Sequence, residues 1–161
     1  MDQPTAEEAL RRLEPLVGEW SLEASGPDGL PWPGNARATI EWHDSGAHLI
    51  ERSTVDMPES PGGDGGDTAP PSSGNAISIM GCDAANDTYV RLHSDERGIC
   101  RVYQMSIDER EWKLWREGEP FPQRFTATIS EDGNTITGHW VHKTPDGQWE
   151  TDIREVFRRV T

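Results

Sequence analysis

From residue 18 onward the chain repeats one pattern: short segments in which apolar and polar residues alternate, separated by short polar clusters. In ARATIEWH (36–43), Ala, Ile and Trp alternate with Arg, Thr, Glu and His. A period of two is typical of a β-strand with one buried and one exposed face. The clusters DSGA, AAND, DERG, DERE and EDGN contain the residues that favour tight turns. The predicted strands are 17–24, 36–43, 48–55, 75–82, 88–94, 99–107, 111–116, 122–130, 135–142 and 148–160.

One helix is predicted before the first strand. Thr5 is followed three residues later by Glu8, which is the spacing of a capping box, and apolar residues then recur at helical spacing. Pro15 cannot continue a helix, so the helix should end near Glu14. The sequence therefore predicts one all-β domain over 1–161, with one short N-terminal helix.

Short strands joined by tight turns favour an up-and-down antiparallel sheet, which loses its exposed edges most simply by closing into a barrel of about ten strands. Successive connections in such a barrel alternate between its two ends. Numbered along the chain, the longer connections all fall at one end, and the helix reaches the other. We therefore expect a cup with one open mouth. The Gly/Pro-rich segment 57–74 has little to bury, so we interpret it as a mobile loop, either a surface insertion or a lid.

The charge of the chain restricts its partners. A formal net charge of -14 repels phosphate backbones and anionic lipids, so neither nucleic acid nor a membrane is an expected partner. The N-terminus has no basic segment followed by an apolar run, and two cysteines do not make a disulfide framework. We expect a cytoplasmic protein.

The segment LVGEWSLEA (16–24) places a Gly-x-Trp motif, Gly18 and Trp20, at the start of the first strand. This motif resembles the signature of the calycin barrels, which include lipocalins and fatty-acid-binding proteins. The resemblance implies an up-and-down calycin-like barrel in which the tryptophan packs across the closed end against a basic residue of a late strand. Arg158 and Arg159 are the candidates, and we assign structural roles to Gly18, Trp20 and Arg158.

Over nearly its whole length the chain is similar to a DUF1579-type family of uncharacterised bacterial proteins with a lipocalin-like barrel. The likeness is carried by LEPLVGEWSLEA, SIMGCDAANDTYVRLHSDERGICRVYQMS, WKLWREG, FTATISEDGNTITGHW and WETDIREVFRRV. It implies a fold but no established reaction. The GEW motif also looks similar to that of nitrobindins, which take a haem-ligating histidine from near the C-terminus. Here the final strand after His142 has no histidine, so we expect no haem and no other cofactor.

The five histidines do not indicate a metal site. His139 and His142 are separated by an odd number of residues on one predicted strand, so they should point to opposite faces. The chain also lacks a Cys/His cluster with zinc spacing. We therefore predict that the protein binds no metal.

The hairpin YVRLHSDERGICRVYQM carries the candidate binding site. Arg91 and His93 share one face of their strand, and whether Tyr103 shares it depends on the turn at Gly98. Pointing inward, these groups would hold the head of a ligand; pointing outward, they would pair across strands. Both orientations remain open. The expected ligand-binding residues are Arg91, His93, Tyr103 and Trp115 in the barrel, with Trp32 and Phe121 at its mouth.

The expected function is binding of a small hydrophobic or amphipathic molecule inside the barrel, without catalysis. The first alternative is a small-molecule lyase, isomerase or hydrolase, with His93 or Tyr103 as the acid/base and an arginine as an anion clamp. The second alternative is a side-chain-filled barrel that acts as a dimeric interaction module, with a homodimer as the assembly.

Overall fold

The computed structural model describes residues 5–31, 35–56, 75–118 and 122–160. They form ten antiparallel strands in the order β1-β10-β9-β8-β7-β6-β5-β4-β3-β2, which closes into a barrel. The predicted all-β class, the up-and-down topology and the short N-terminal helix are confirmed. The segment 57–74 lies outside the described residues. The strands are β1 Gly18–Ser25, β2 Asn35–Trp42, β3 His48–Asp56, β4 Ala76–Asp83, β5 Thr88–Asp95, β6 Cys100–Ile107, β7 Glu111–Arg116, β8 Gln123–Ile129, β9 Thr135–Lys143 and β10 Trp149–Arg159.

The strands follow the two-residue period closely. In β8, Gln123, Phe125, Ala127 and Ile129 are buried while the residues between them are more accessible. Tight turns close the hairpins where glycine permits a left-handed backbone, for example Gly98 at φ 82° and Gly133 at φ 74°. Antiparallel pairing of consecutive strands makes the connections alternate between the two ends of the barrel. Strands β1, β3, β5, β7 and β9 therefore finish at one end of the barrel, and β2, β4, β6 and β8 finish at the other.

The N-terminal helix, α1, spans Ala6–Arg11 and begins with the predicted capping box between Thr5 and Glu8. It ends three residues earlier than expected and is followed by a 3₁₀ turn, Glu14–Leu16. The reason is Pro15, because its ring would meet the carbonyl of Arg11 if the α-helix continued.

The helical segment closes the tight-turn end of the barrel. Ala9, Leu13 and Leu16 are buried there. The hydroxyl of Tyr89, at the start of β5, donates a hydrogen bond to the Ala9 carbonyl at 2.6 Å. The indole of Trp42, at the end of β2, donates to Glu14 at 2.9 Å. The expectation that the helix closes the end opposite the long connections is therefore confirmed.

Trp20 and Arg159 seal the same end. The Trp20 indole is fully buried and donates to the Leu16 carbonyl at 2.9 Å. The Arg159 guanidinium lies over the Trp20 ring at 4.2 Å and donates to the carbonyls of Val17, Pro15 and Gly133. Gly18, at φ 146°, leaves the space for this arginine, because a Cβ there would overlap the guanidinium.

Arg158, the residue assigned to this role from the sequence, is not the capping residue. It lies on the outer surface and forms an ion pair with Glu23 at 2.6 Å. Neighbouring residues of a strand point to opposite faces, so only one of the two arginines can reach Trp20.

The interior next to this closed end is apolar. Edge-to-face contacts join Trp112 to Phe125 at 5.3 Å and Trp112 to Phe157 at 6.1 Å between ring centroids. Gly138 lies beneath the Phe125 ring, where a Cβ would be 2.6 Å from ring carbons. These residues form a solid floor to the barrel.

None of the helices in the described part of the chain is long and apolar enough to cross a membrane.

Candidate functional site

Above the apolar floor the side chains that face the interior become polar. We call this group the polar belt; it comprises Glu51, Ser78, Arg91, His93, Tyr103, Gln123 and Glu155. Arg91 shares the inner face of β5 with buried Tyr89, and its register partner on β6 is buried Tyr103. Of the two orientations left open by the sequence, the structure has Arg91, His93 and Tyr103 pointing inward.

Arg91 and Glu51 form an ion pair inside the barrel. Arg91 Nη2 is 3.2 Å from Glu51 Oε2, and both side chains are largely buried. The guanidinium also lies 5.8 Å from the centroid of the Trp112 ring on the floor. Arg91 Nε and Trp112 Nε1 are buried and have no hydrogen-bond acceptor among the described residues. Buried N–H groups without an acceptor are costly, so these two are available to a bound molecule or to water.

Glu155 faces the same space from β10. Its strand neighbours, Ala24 on β1 and Gly138 on β9, are small and carry no charge. Burial raises the pKa of Glu155 from 4.5 to about 7 and Glu51 adds to this, while the Arg91 charge and a hydrogen bond from the Trp140 indole act in the opposite direction. The carboxyl therefore exchanges its proton near neutral pH.

The position of Glu155 shows that the belt faces the interior of the barrel. Protein surrounds the carboxyl closely enough for burial to dominate its pKa, yet the residue is only half-buried by accessible area. Glu155 also lies two residues from buried Phe157 on β10, so the two side chains share the inward face of that strand. The polar belt therefore lines the interior of the barrel.

Tyr103 belongs to a hydrogen-bonded group nearer the mouth. Its hydroxyl donates to Gln123 Oε1 at 2.8 Å, and Arg101 Nη1 donates to the same oxygen at 3.2 Å. The Tyr103 ring contacts Trp140 at 5.4 Å between centroids. Trp140 also lowers the pKa of Glu155, so its ring lies between this group and the carboxyl.

His93 connects a serine and an aspartate. Its Nδ1 is 3.2 Å from Ser78 Oγ, and its Nε2 is 3.1 Å from Asp95 Oδ2. Burial lowers the pKa of His93, and the Arg91 charge acts in the same direction, so the ring is mainly neutral at pH 7. The hydrogen bond from the Arg97 side chain holds the pKa of Asp95 well below its usual range. Ser78 thus has a neutral base beside it, and that base is oriented by a carboxylate.

The remaining predicted site residues are elsewhere. Trp115 is wrong as a lining residue: it follows inward-facing Leu114, and its register partners Gln104 and Arg124 are exposed, so it lies on the outer face of β7. Its aromatic character favoured the interior, but its position on the strand decides the face. Trp32 and Phe121 lie outside the described residues.

Sequence reasoning missed Glu51, Ser78, Gln123 and Glu155. The sequence signal that could have identified them is their position along the strand. Glu51 is two residues from buried Leu49 and Glu155 is two residues from buried Phe157, so each shares the inward face with an apolar residue. Charged residues are seldom buried, so such positions are normally interpreted as irregularities rather than as a site.

Within the described residues, no group of three or more His, Cys, Asp or Glu side chains is arranged to hold a metal ion. The absence of a metal and of a cofactor stays a prediction.

Comparison with known proteins supports the fold and gives no function. The chain is similar to the crystal structure of Rv2717c from M. tuberculosis, with a TM-score of 0.62, 13% sequence identity, and coverage of 95% of this chain and 98% of that chain. No model of a known protein family matches the chain, so the DUF1579-type resemblance stays a prediction. No curated protein matches it either.

Proposed function

We propose that the barrel binds a small, partly apolar molecule in its interior, with the polar head group of that molecule against Arg91 and Glu155. The observation that carries this proposal is the polar belt itself, in which the buried N–H groups of Arg91 Nε and Trp112 Nε1 have no acceptor among the described residues. Ligand sites are typically apolar cavities with a few polar groups that fix orientation, and the belt above the aromatic floor has this composition. The apolar part of the ligand would contact the rings of Trp140 and Tyr103.

The charges of the belt favour an uncharged head group. A ligand carboxylate would lie near Glu51 and Glu155, and Glu51 already occupies one side of the Arg91 guanidinium. The free N–H at Arg91 Nε favours an acceptor such as a hydroxyl or carbonyl oxygen. We therefore propose alcohols, ketones or amides as the ligand class and expect free fatty acids to bind less well.

A matched pair of probes tests this proposal. Tryptophan fluorescence is titrated with 1-octanol and with octanoate at about pH 8.5, where Glu155 is ionised. Octanol should give a saturable change with a Kd at least about tenfold below that of octanoate, because the carboxylate is repelled. At about pH 5.5 the two values should approach each other, since Glu155 is then protonated.

Glu155→Gln is the control for the pH effect, because the amide keeps an acceptor for Trp140 and cannot ionise. In this variant the difference between the probes should be small at both pH values. The proposal fails if neither probe gives a saturable change, and the assignment of the head group fails if octanoate binds more tightly at the higher pH.

A second candidate function is ester hydrolysis, favoured by the contacts of Ser78, His93 and Asp95. His93 would take the hydroxyl proton as Ser78 attacks the ester carbonyl and would return it to the departing alcohol; water would then release the acyl group by the same route. Ser78 is buried, so the substrate would have to enter the barrel.

Hydrolysis of p-nitrophenyl butyrate separates the two functions. If the protein is an esterase, Ser78→Ala should lower the rate at least about 100-fold. Ser94→Ala is the matched control, because Ser94 is exposed on the outer face of the same hairpin, and it should leave the rate unchanged. Equal rates for the wild type and Ser78→Ala would eliminate catalysis by this serine.

A further inference from the structure

Aliphatic side chains of four neighbouring strands form a continuous row on the outside of the barrel. In the strand registers Ile50 lies opposite Ile79, Ile79 opposite Leu92, and Leu92 opposite Val102. Ile77 extends the row, two residues from Ile79 on the same face of β4. We call the surface around this row the β3–β6 outer face. Ile77, Ile79, Leu92 and Val102 are 50%, 39%, 37% and 54% exposed.

In its half nearer the mouth, this part of the wall departs from the usual arrangement of a barrel. Strands of a closed barrel normally present apolar residues inward and polar residues to water. On β4 and β5, however, Ser78, Arg91 and His93 point inward, while the aliphatic residues between them point outward. The four exposed side chains present about 300 Å² of contiguous apolar surface, a size that on monomeric proteins is often functional.

The same face is nearly free of charge. At the outward positions that flank the row, Thr54, Ser94, Cys100 and Gln104 are neutral. Arg52 and Glu41, which lies opposite Ile50 on β2, are charged, and the two pair with each other at 2.6 Å. The chain has a net charge of -14, but a second copy can approach this face without placing its acidic residues next to those of the first copy.

We propose that two copies of the chain associate through the β3–β6 outer face. A two-fold axis through the row would place the same nearly neutral sheet surface on both sides of the contact, as an isologous dimer requires. The aliphatic row supplies the apolar centre, and the neutral side chains around it supply the rim of an interface of about 800 Å² per partner. Because this apolar centre is small beside those of permanent dimers, we expect a weak dimer, with a Kd on the order of 10–100 µM.

Other occupants fit less well. An anionic membrane is repelled by the net charge. The chain's own segment 57–74, MPESPGGDGGDTAPPSSG, has few apolar side chains to place against the row and includes several acids.

Sedimentation velocity over about 5–500 µM tests the proposal. The weight-average mass should rise from that of the 18.0 kDa chain towards twice this value. Leu92→Lys places a charge at the centre of the row and should hold the mass at the monomer value. The matched control is Thr137→Lys on β9, an exposed outward position away from the row, which should associate like the wild type.

Val102→Lys repeats the test at a more exposed position and should also give a monomer; thermal melting confirms that each variant is folded. A wild type that stays at the monomer mass up to about 500 µM overturns the proposal. So does a folded Leu92→Lys that associates as well as Thr137→Lys. A monomeric wild type that instead cosediments with phosphatidylcholine vesicles would assign the face to a membrane and overturn it as well.

Discussion

Arg158 and Arg159 are adjacent in the sequence but have opposite surroundings. Arg159 lies over Trp20 and donates to three backbone carbonyls at the closed end, whereas Arg158 forms an exposed ion pair with Glu23. The alternation of side chains along β10 alone produces this difference. The two arginines therefore make a matched pair for mutation.

We expect Arg159→Ala to lower the free energy of unfolding by about 2–4 kcal/mol, because it removes the contact with the indole and leaves the carbonyls of Val17 and Pro15 without their donor. Arg158→Ala should cost less than about 1 kcal/mol, since exposed ion pairs contribute little. Urea denaturation of both variants measures the difference. Equal losses would contradict the assignment of Arg159 as the capping residue.

Glu155 should make stability depend on pH. Its carboxyl binds a proton more tightly in the folded protein, where its pKa is about 7, than in the unfolded chain at 4.5. Its contribution is therefore complete below about pH 4.5 and is lost as the pH rises through about 7, by up to about 3 kcal/mol.

Glu155→Gln should accordingly be more stable than the wild type at about pH 8.5 and should match it near pH 4.5. Comparing the two proteins in urea at several pH values cancels the other titrating groups. A difference in stability that stays constant with pH would show that the carboxyl does not titrate in this range.

Within the sheet, β8 and β9 illustrate how close the strands pack. Gly138 on β9 lies opposite Ala127 on β8, and the Phe125 ring covers it. A Cβ at Gly138 would be 2.6 Å from Phe125 ring carbons and 2.8 Å from the Ala127 Cβ. A Cβ cannot stay this close to those atoms, so the packing of the aromatic floor depends on Gly138 having no side chain.

Gly138→Ala should therefore lower the free energy of unfolding by about 1–3 kcal/mol through overpacking. Gly81→Ala is the control: it is also in a strand, but its Cβ would lie 3.5 Å from His48 Cβ, an ordinary contact. Thermal melting of the two variants tests this, and the explanation fails if Gly81→Ala is the more destabilised.

The strands could be predicted within about a residue because the two-residue period is strong and the turn clusters are distinct. The helix end was missed because Pro15 acts on a carbonyl four residues earlier. The inward orientation of Arg91 and His93 could not be predicted, since the period identifies two faces but not which one is inside. That choice depends on partners such as Glu51 and Glu155, which are distant in the sequence and meet only when the barrel closes.

Taken as a whole, the protein combines an acidic surface with one neutral, aliphatic face. The charge of -14 opposes any approach of two copies, and the row around Leu92 and Val102 favours it. The balance between the two effects should therefore depend on ionic strength.

Self-association should become stronger as salt is added, with a Kd at least about threefold lower at 300 mM than at 20 mM NaCl, because screening weakens the repulsion and leaves the apolar contact unchanged. Sedimentation velocity at both salt concentrations measures it. Association that weakens with salt would indicate an interface made of ion pairs and would contradict the neutral face.

The barrel is closed by the pairing of its first and last strands, β1 and β10. Their register runs from Trp20 opposite Arg159 to Ser25 opposite Arg154. During synthesis β1 leaves the ribosome long before β10 exists, so one of its two edges must wait unpaired for almost the entire translation of the barrel. An interrupted product that lacks β10 would expose the edges of both β1 and β9, and such edges recruit other chains. For this protein, premature termination close to the end of the barrel is therefore a route to aggregation rather than to a slightly shorter functional molecule.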